Sequence, residues 1–327
     1  MPTLTNPSSL PAPAVSVVIP SFGSARTLRR CVAAILEQET DEIFEVILVH
    51  SGMAPPALDG DQWHRIRQIN YARRLLPGEA RNVGIRMARA PWVLFIDADC
   101  IADREWLDWL LTTARREGVC GVGGAVRNGS SHHPVAWAMH FVEFGQWLPR
   151  RSRPEVTSNF PSCSALYRRS TLLELGGFSI DLFPGEDTVL NARLSRAGYR
   201  LMWHPTAGVA HVHTRTLRGA LNHCRRLGAT YGRGCREHGL PHLDLLRLPV
   251  WMIGLAVLAG RYGAIARRLL YRDWWMLLLY VLLSPVILAM LIAWAAGFGQ
   301  QRVRGVRWIL SRGPTKRRPE RILLKEK

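Results

Sequence analysis

The chain has 327 residues, 48% of them apolar and 21% charged, a balance that supports a sizeable core and argues against a disordered chain. Its net charge of +18 points to a polyanionic partner, meaning phosphates or an anionic membrane surface. No aromatic-basic stacking platform or nucleic-acid motif accompanies that charge, so nucleic acid is not an expected partner. Six cysteines without Cys-x-x-Cys spacing argue against a disulfide framework or structural zinc, and for reduced thiols in a cytosolic compartment. Residues 1–14 are rich in Pro and Ser, with neither a basic start nor an apolar h-region. They read as a loose leader and not as a signal peptide.

In chain order, Val15–Ile19 reads as a first buried strand, with Pro20-Ser21-Phe22-Gly23 as the loop after it. A helix over Ala25–Glu39 places Leu28, Val32, Ile35 and Leu36 on one face. Phe44–Val49 is a second strand ending at His50-Ser51, and Arg65–Asn70 is a third, weaker one. A helix opening near Gly78 leads to the apolar strand Val93–Ile96. A helix after Asp103, a Gly-rich strand Val119–Val126 and a strand Ser162–Tyr167 follow, with no assignment for Ser130–Pro154 between them. Ser170–Leu175 is a short helix capped by Gly176-Gly177, Glu186-Asp187 opens a helix running to Arg196, and Arg200–Trp203 is a last strand before His211-Val-His213. Strands alternating with helices predict an α/β, doubly wound, mostly parallel sheet.

The Val93–Ile96 strand ends at Asp97-Ala98-Asp99. Ligands of open α/β sheets sit outside the carboxyl ends of strands, and two acids there suit a divalent cation and the phosphates it holds. The alternative is that both acids are turn and cap residues for the next helix.

The chain resembles the family-2 glycosyltransferases, which have the GT-A fold, over about Val15–Arg236. The motifs that carry this stand in family order: Val15-Ser-Val-Val-Ile-Pro-Ser-Phe, Ala80-Arg81-Asn82-Val-Gly84, Phe95-Ile-Asp97-Ala-Asp99, Leu175-Gly-Gly-Phe178, Gly185-Glu186-Asp187, then Pro205 and His211. The resemblance implies a nucleotide-diphosphate sugar donor and a bound Mg2+ or Mn2+. It implies a donor site drawn from Pro20, Ser21, His50, Arg81, Asn82, Asp97, Ala98, Asp99 and Ser164. Asp97 would face the nucleoside, and Asp99 would hold the metal with His211, His213 being the neighbouring candidate. Asp187 would be the catalytic base, assisted or replaced by Glu186. The chemistry agrees: a divalent ion stabilises the charge of a departing diphosphate, and inversion needs one carboxylate to take the acceptor's proton. Arg225, Arg226 and Arg233 are either diphosphate contacts or a solvated basic face. Two departures matter. His50-Ser51 stands where the family has an acid that reads the nucleobase. The Gln-x-x-Arg-Trp signature of processive synthases is absent, so a single transfer is expected. The His50 departure motivates the alternative of a non-catalytic nucleotide- or partner-binding domain at the membrane.

From about residue 240 the character changes. Trp274–Phe298 is 25 residues without a charge, enough to cross a hydrocarbon core of roughly 30 Å, with Ser284-Pro285 inviting a kink or re-entrant hairpin. Ten Lys/Arg against two Glu give the tail 301–327 a charge of +8. The predicted organisation is therefore a leader at 1–14, a transferase domain at 15–239, membrane-associated helices at 240–300 and a basic tail at 301–327. The expected setting is the cytosolic face of the cell membrane, with a lipid-linked or glycolipid acceptor.

Overall fold

The computed structural model describes residues 12–23, 25–52, 64–150, 152–213, 215–270 and 273–302. The leader at 1–11 and the basic tail at 303–327 lie outside the described residues.

Strand β1 (Val15–Phe22) lies between β2 (Phe44–Ser51) and β4 (Trp92–Ile96), parallel to both, with β3 (Ile66–Tyr71) outside β2. Consecutive apolar residues are what a strand covered on both faces needs, and Val17, Val18 and Ile19 are all fully buried. One face is covered by α1 (Ala25–Leu36), through Leu28, Val32 and Ile35, together with α3 (Trp106–Glu117). The other face carries α2 (Pro77–Met87). The doubly wound α/β sheet expected from the sequence is therefore present.

Beyond β4 the sheet becomes mixed, in the order β3-β2-β1-β4-β8-β6-β9-β5. The strands of this half are β5 (Cys100–Ala102), β6 (Gly121–Asn128), a short β7 (Glu155–Thr157) beside β9, β8 (Ser164–Arg168) and β9 (Leu201–His211). β8 runs antiparallel to β4, Ile96 pairing with Ser164. β9 is one strand from Leu201 to His211, where the sequence reading stopped at Trp203. Its end pairs antiparallel with β5, Cys100 opposite His211. That register sets Asp99 beside His211 across more than a hundred residues of sequence. The unassigned segment contains α4 (Pro134–Phe144), while α5 (Arg169–Glu174) and α6 (Glu186–Arg196) close the apolar layer on the α2 side.

The C-terminal helices are not a free-standing hydrophobic appendage. α7 (Leu217–Glu237) is followed by α8 (Val250–Val257), a π-helical turn (Leu258–Tyr262), α9 (Gly263–Leu270), α10 (Trp274–Leu282) and α11 (Ser284–Gly299). α11 buries Ile287, Met290, Leu291, Trp294 and Phe298 in a core shared with α4 and α7. Among the described residues no single helix is long and apolar enough to cross a membrane, and the uncharged run is divided at Leu283, where α10 and α11 meet at 71°. Pro285 stands in the first turn of α11, where its missing N–H costs no helical bond.

α7 and α11 approach backbone to backbone. A Cβ on Gly297 would stand 1.9 Å from the carbonyl oxygen of Arg225, and one on Gly228 1.9 Å from that of Trp294. Gly297→Ala is therefore expected to lower stability by about 1–3 kcal/mol, as overpacking does. Gly254→Ala, in open space on α8, should be neutral or gain up to about 1 kcal/mol of helix propensity. Denaturant melts of the two variants check the contrast; equal losses would refute the close approach.

Candidate active site

The site forms where β4 and β9 end. Asp97, Ala98 and Asp99 leave the sheet there, and they line a cleft of about 1410 Å³ that Pro20, Ser21, Arg81, Glu186, Asp187, His211 and His213 also line. Donor-side and acceptor-side acids expected from distant motifs thus share one cavity. Its volume exceeds the roughly 300–1,000 Å³ of an ordinary small-molecule pocket, which leaves room for two substrates.

The deepest interaction is a two-way ion pair on Arg81, whose side chain is only 2% exposed. Its Nη2 donates to Asp97 Oδ1 at 2.5 Å and its Nη1 to Glu186 Oε1 at 2.5 Å. One guanidinium on α2 therefore fastens the end of β4 to the start of α6. Burial alone would lower the pKa of Arg81, but Asp97, Glu186 and Asp187 outweigh it and raise it. Burial pushes Glu186 the other way, up to about 7, with Asp187 adding to the rise and Arg81 opposing it. Glu186 Oε2 is buried without a hydrogen bond.

Asp187 is held differently. Its Oδ2 accepts from the Ser162 N–H at 3.0 Å and the Ser162 hydroxyl at 3.3 Å, and its Oδ1 from the Thr188 N–H at 2.6 Å. These donors fix the carboxylate while leaving it half-buried at the cleft wall.

Asp99 Oδ1 lies 3.7 Å from His211 Nε2. Burial raises the Asp99 pKa, His211 lowers it and Asp97 raises it again; its side chain is 44% exposed, but it sits at the floor of a concave site, so the upward direction holds. The Asp99, Cys100 and His211 donor atoms lie within 4.8 Å of one another. The Cys100 thiol is pushed well up by burial and neighbouring Cys163, so it stays protonated and is a poor ligand for a hard cation. One carboxylate oxygen and one imidazole nitrogen remain, a donor set that fits Mg2+ or Mn2+ completed by phosphate oxygens. His211 Nδ1 is buried without a hydrogen bond.

Four other residues expected at the site have partners of their own within the fold. His213 does not join Asp99: its Nε2 is 3.0 Å from His140 Nδ1 and its Nδ1 is 3.9 Å from Glu143, so both nitrogens are committed. Burial, aided by His211, lowers its pKa to about 2, leaving the ring neutral. Asn82 is a brace, not a donor contact: its amide donates to the Phe178 carbonyl and accepts from the Phe178 N–H, both at 2.8 Å. Gly177, at φ +72° with Asn82 against its α-carbon, makes room for this. Ser164 is fully buried, accepting from Trp106 Nε1 at 2.9 Å. His50 is also buried, its Nδ1 3.3 Å from Ser21 Oγ, so the residue that motivated a non-catalytic reading belongs to the β1–β2 edge.

Sequence reasoning missed Glu143 on α4, which lines the cleft. Its Oε1 is 3.2 Å from His223 Nε2. Burial would raise its pKa, but His223, His213 and His211 bring it down to about 2. The signal was available: Glu143 is the one acidic residue in the otherwise apolar run Pro134–Phe144.

The glycosyl transferase family 2 model matches residues 16–176. Residues 16–176 belong to that family. The chain is 32% identical over 211 residues to the pre-mycofactocin glycosyltransferase of Mycobacterium tuberculosis, covering 62% of this chain and 44% of that protein. It is 31% identical over 188 residues to the succinoglycan biosynthesis protein ExoM of Rhizobium meliloti, covering 54% and 57%. The chain spans about half the length of these curated relatives. The mannosyltransferase PcManGT from Pyrobaculum calidifontis, solved with GDP-Man and Mn2+, superposes with a TM-score of 0.55 at 19% identity, covering 88% of this chain and 87% of that one. At that identity the likeness shows the GT-A fold alone.

Because the folded pKa of Glu186, about 7, lies above the ordinary carboxylate value, the native state binds the extra proton between roughly pH 4.5 and 7. Stability then falls as pH rises through that window, by up to about 1.4 kcal/mol per pH unit. Glu186→Gln should flatten this slope in urea melts at pH 4.5, 5.5 and 7. A slope unchanged in the variant would assign it to another group.

Proposed function

We propose that this protein is an inverting, metal-dependent glycosyltransferase that moves a single sugar from a nucleotide-diphosphate donor to a lipid-linked or membrane-proximal acceptor. What carries the reading is the joining of Asp99–His211 and Asp187 in one cleft through the Arg81 clamp. The Mn2+ and GDP-Man of the mannosyltransferase that superposes on the chain, and the activities of its curated relatives, support it.

Asp187 is the base. Its carboxylate is oriented by Ser162 and Thr188 and takes the proton as the acceptor oxygen bonds to the anomeric carbon and the sugar–phosphate bond breaks. Glu186 is sealed against Arg81 and acts as a positioning residue, setting the height of Asp187 above Asp97. Asp99 and His211 would hold Mg2+ or Mn2+, which when bound offsets the charge of the departing nucleoside diphosphate. Asp97 is already tied to Arg81 through one oxygen, leaving the other for the nucleoside side.

The membrane setting rests on surface chemistry. Trp251 (67% exposed), Leu255, Trp274, Trp275 (64% exposed) and Leu282 are large apolar side chains on α8 and α10 that are exposed among the described residues. Exposed tryptophans on helices of a strongly basic chain are what an interfacial, cytosolic-face attachment uses.

With a panel of nucleotide sugars, the purified protein should release nucleoside diphosphate only when Mn2+ or Mg2+ is present, and chelation should abolish the release reversibly. Asp187→Asn should lose at least a hundredfold in kcat while still binding donor. His211→Ala should raise the Mn2+ requirement roughly 10–100-fold. No release from any donor, with wild type and variant alike, would refute the activity. In flotation, the protein should rise with vesicles containing about 30–40% phosphatidylglycerol at low salt and lose most of that binding at about 0.5 M salt. Absence from both anionic and neutral vesicles would refute the membrane setting.

A further inference from the structure

Arg261 is a half-buried cation lining the same cleft. It stands on the π-helical turn between α8 and α9, a backbone form that recurs at functional sites. Its Nη2 donates to the Val142 carbonyl at 3.0 Å, and its guanidinium lies over the Trp294 ring at 4.9 Å. Among the described residues it makes no ion pair, and Glu143 acts on it only at longer range. Burial lowers its pKa, yet a guanidinium keeps its charge in proteins. Taking a cation partly out of water without an ion-pair partner is costly, and a peptide carbonyl and an indole face offset only part of that cost.

A second cation faces the same space. Arg226, exposed on α7, lines the cleft and has no ion pair among the described residues. Its neighbours in the sequence motif are occupied: Arg233 pairs with Asp181 and Glu237. His223, one turn before Arg226, is neutralised by Glu143. The wall around Arg261 is otherwise apolar, built from Val257, Leu245, Trp294 and Phe298. Cations thus sit where an apolar wall of the C-terminal helices meets the polar floor that holds Asp99 and Asp187.

We propose that Arg261 and Arg226 form an anion site for the acceptor, taking a phosphate group whose attached apolar chain lies along the α8–α11 wall. The site rests on the transferase reading for its purpose, but it stands outside the family-2 match at 16–176 and makes its own prediction. Arg261 supplies a planar pair of N–H donors to the phosphate, and Arg226 approaches from the solvent side. The π-turn aims Arg261 inward while α8 and α9 continue in either direction.

The test uses dodecyl phosphate below its micelle concentration, with dodecanol and inorganic phosphate as comparison arms, on the full-length protein by calorimetry. Dodecyl phosphate should bind wild type at least tenfold tighter than dodecanol. Arg261→Met should weaken it at least tenfold and Arg226→Gln roughly threefold to tenfold, with dodecanol binding equal in all three proteins. Arg226 is exposed, so its variant keeps the test meaningful if Arg261→Met fails to fold. Inorganic phosphate displacing dodecyl phosphate at comparable concentration would assign the site to free phosphate and overturn the amphiphile. Equal dodecyl phosphate affinity in wild type and Arg226→Gln, or a loss of nucleotide-sugar affinity in place of dodecyl phosphate affinity, would overturn the site. Donor binding in the presence of Mn2+, followed by thermal shift, reports on the transferase reading separately.

Discussion

The architecture of the site depends on one shared charge. Arg81 sits in the interior, with its two outer nitrogens divided between Asp97 and Glu186. A buried ion pair contributes little net stability compared with a hydrophobic substitute, so its value here is geometric. The carboxylates come from the end of β4 and the start of α6, about ninety residues apart, and neither element pairs with the other in the sheet. A planar, bidentate cation fixes both the distance and the orientation between them. Asp187 follows Glu186 directly, so its position is inherited from that clamp.

A second constraint complements the first. The antiparallel pairing of β5 with the end of β9 sets Cys100 opposite His211, and backbone register alone then brings Asp99 to His211. The site is thus assembled by two independent means: a side-chain clamp that holds Asp97 and Glu186 and a strand register that brings Asp99 to His211. The histidines beyond His211 serve neither. His213, His140, His223 and Glu143 form their own network behind it, in which burial keeps His140 and His213 neutral while Glu143 raises the His223 pKa against burial and pairs with it. The effect is to hold the β9 terminus and α4 together beneath the cleft.

What could be read from the sequence follows from what each signal depends on. β1, β2 and β4 were legible because strands buried on both faces must be apolar throughout, and the polar residues at their ends, Ser21, His50-Ser51 and Asp97, break that pattern. β8 was legible as a strand but not as antiparallel, since direction is set by the connections and leaves no mark on its composition. α4 stayed unassigned because it is apolar nearly all round, being buried by β6 on one side and by α7 and α11 on the other, so no amphipathic period survives. Asp97, Asp99, Glu186 and Asp187, singled out by motif order, are brought to one cleft. Asn82 and Ser164 are engaged within the fold, because a polar residue inside a motif can serve the fold as readily as a ligand. Each is fully engaged by a neighbour, the Phe178 backbone and the Trp106 indole, that nothing in its local sequence reveals.

The C-terminal third shows the same limit from the opposite side. Hydropathy counts apolar residues without saying what covers them, and Trp274–Phe298 divides into two helices with different environments. α11 gives its apolar face to α7, where paired glycines let the backbones touch, and so completes a wall of the cleft. α10 leaves Trp274, Trp275, Leu278 and Leu282 uncovered. α10 and α11 are a bent pair that length and composition alone would allow at a membrane, and the 71° break at Leu283 separates their two environments. Cleft wall and exposed apolar surface thereby become two sides of one helical layer. On the proposed reading, an amphiphilic acceptor held at that layer lies in the same cleft as Asp187.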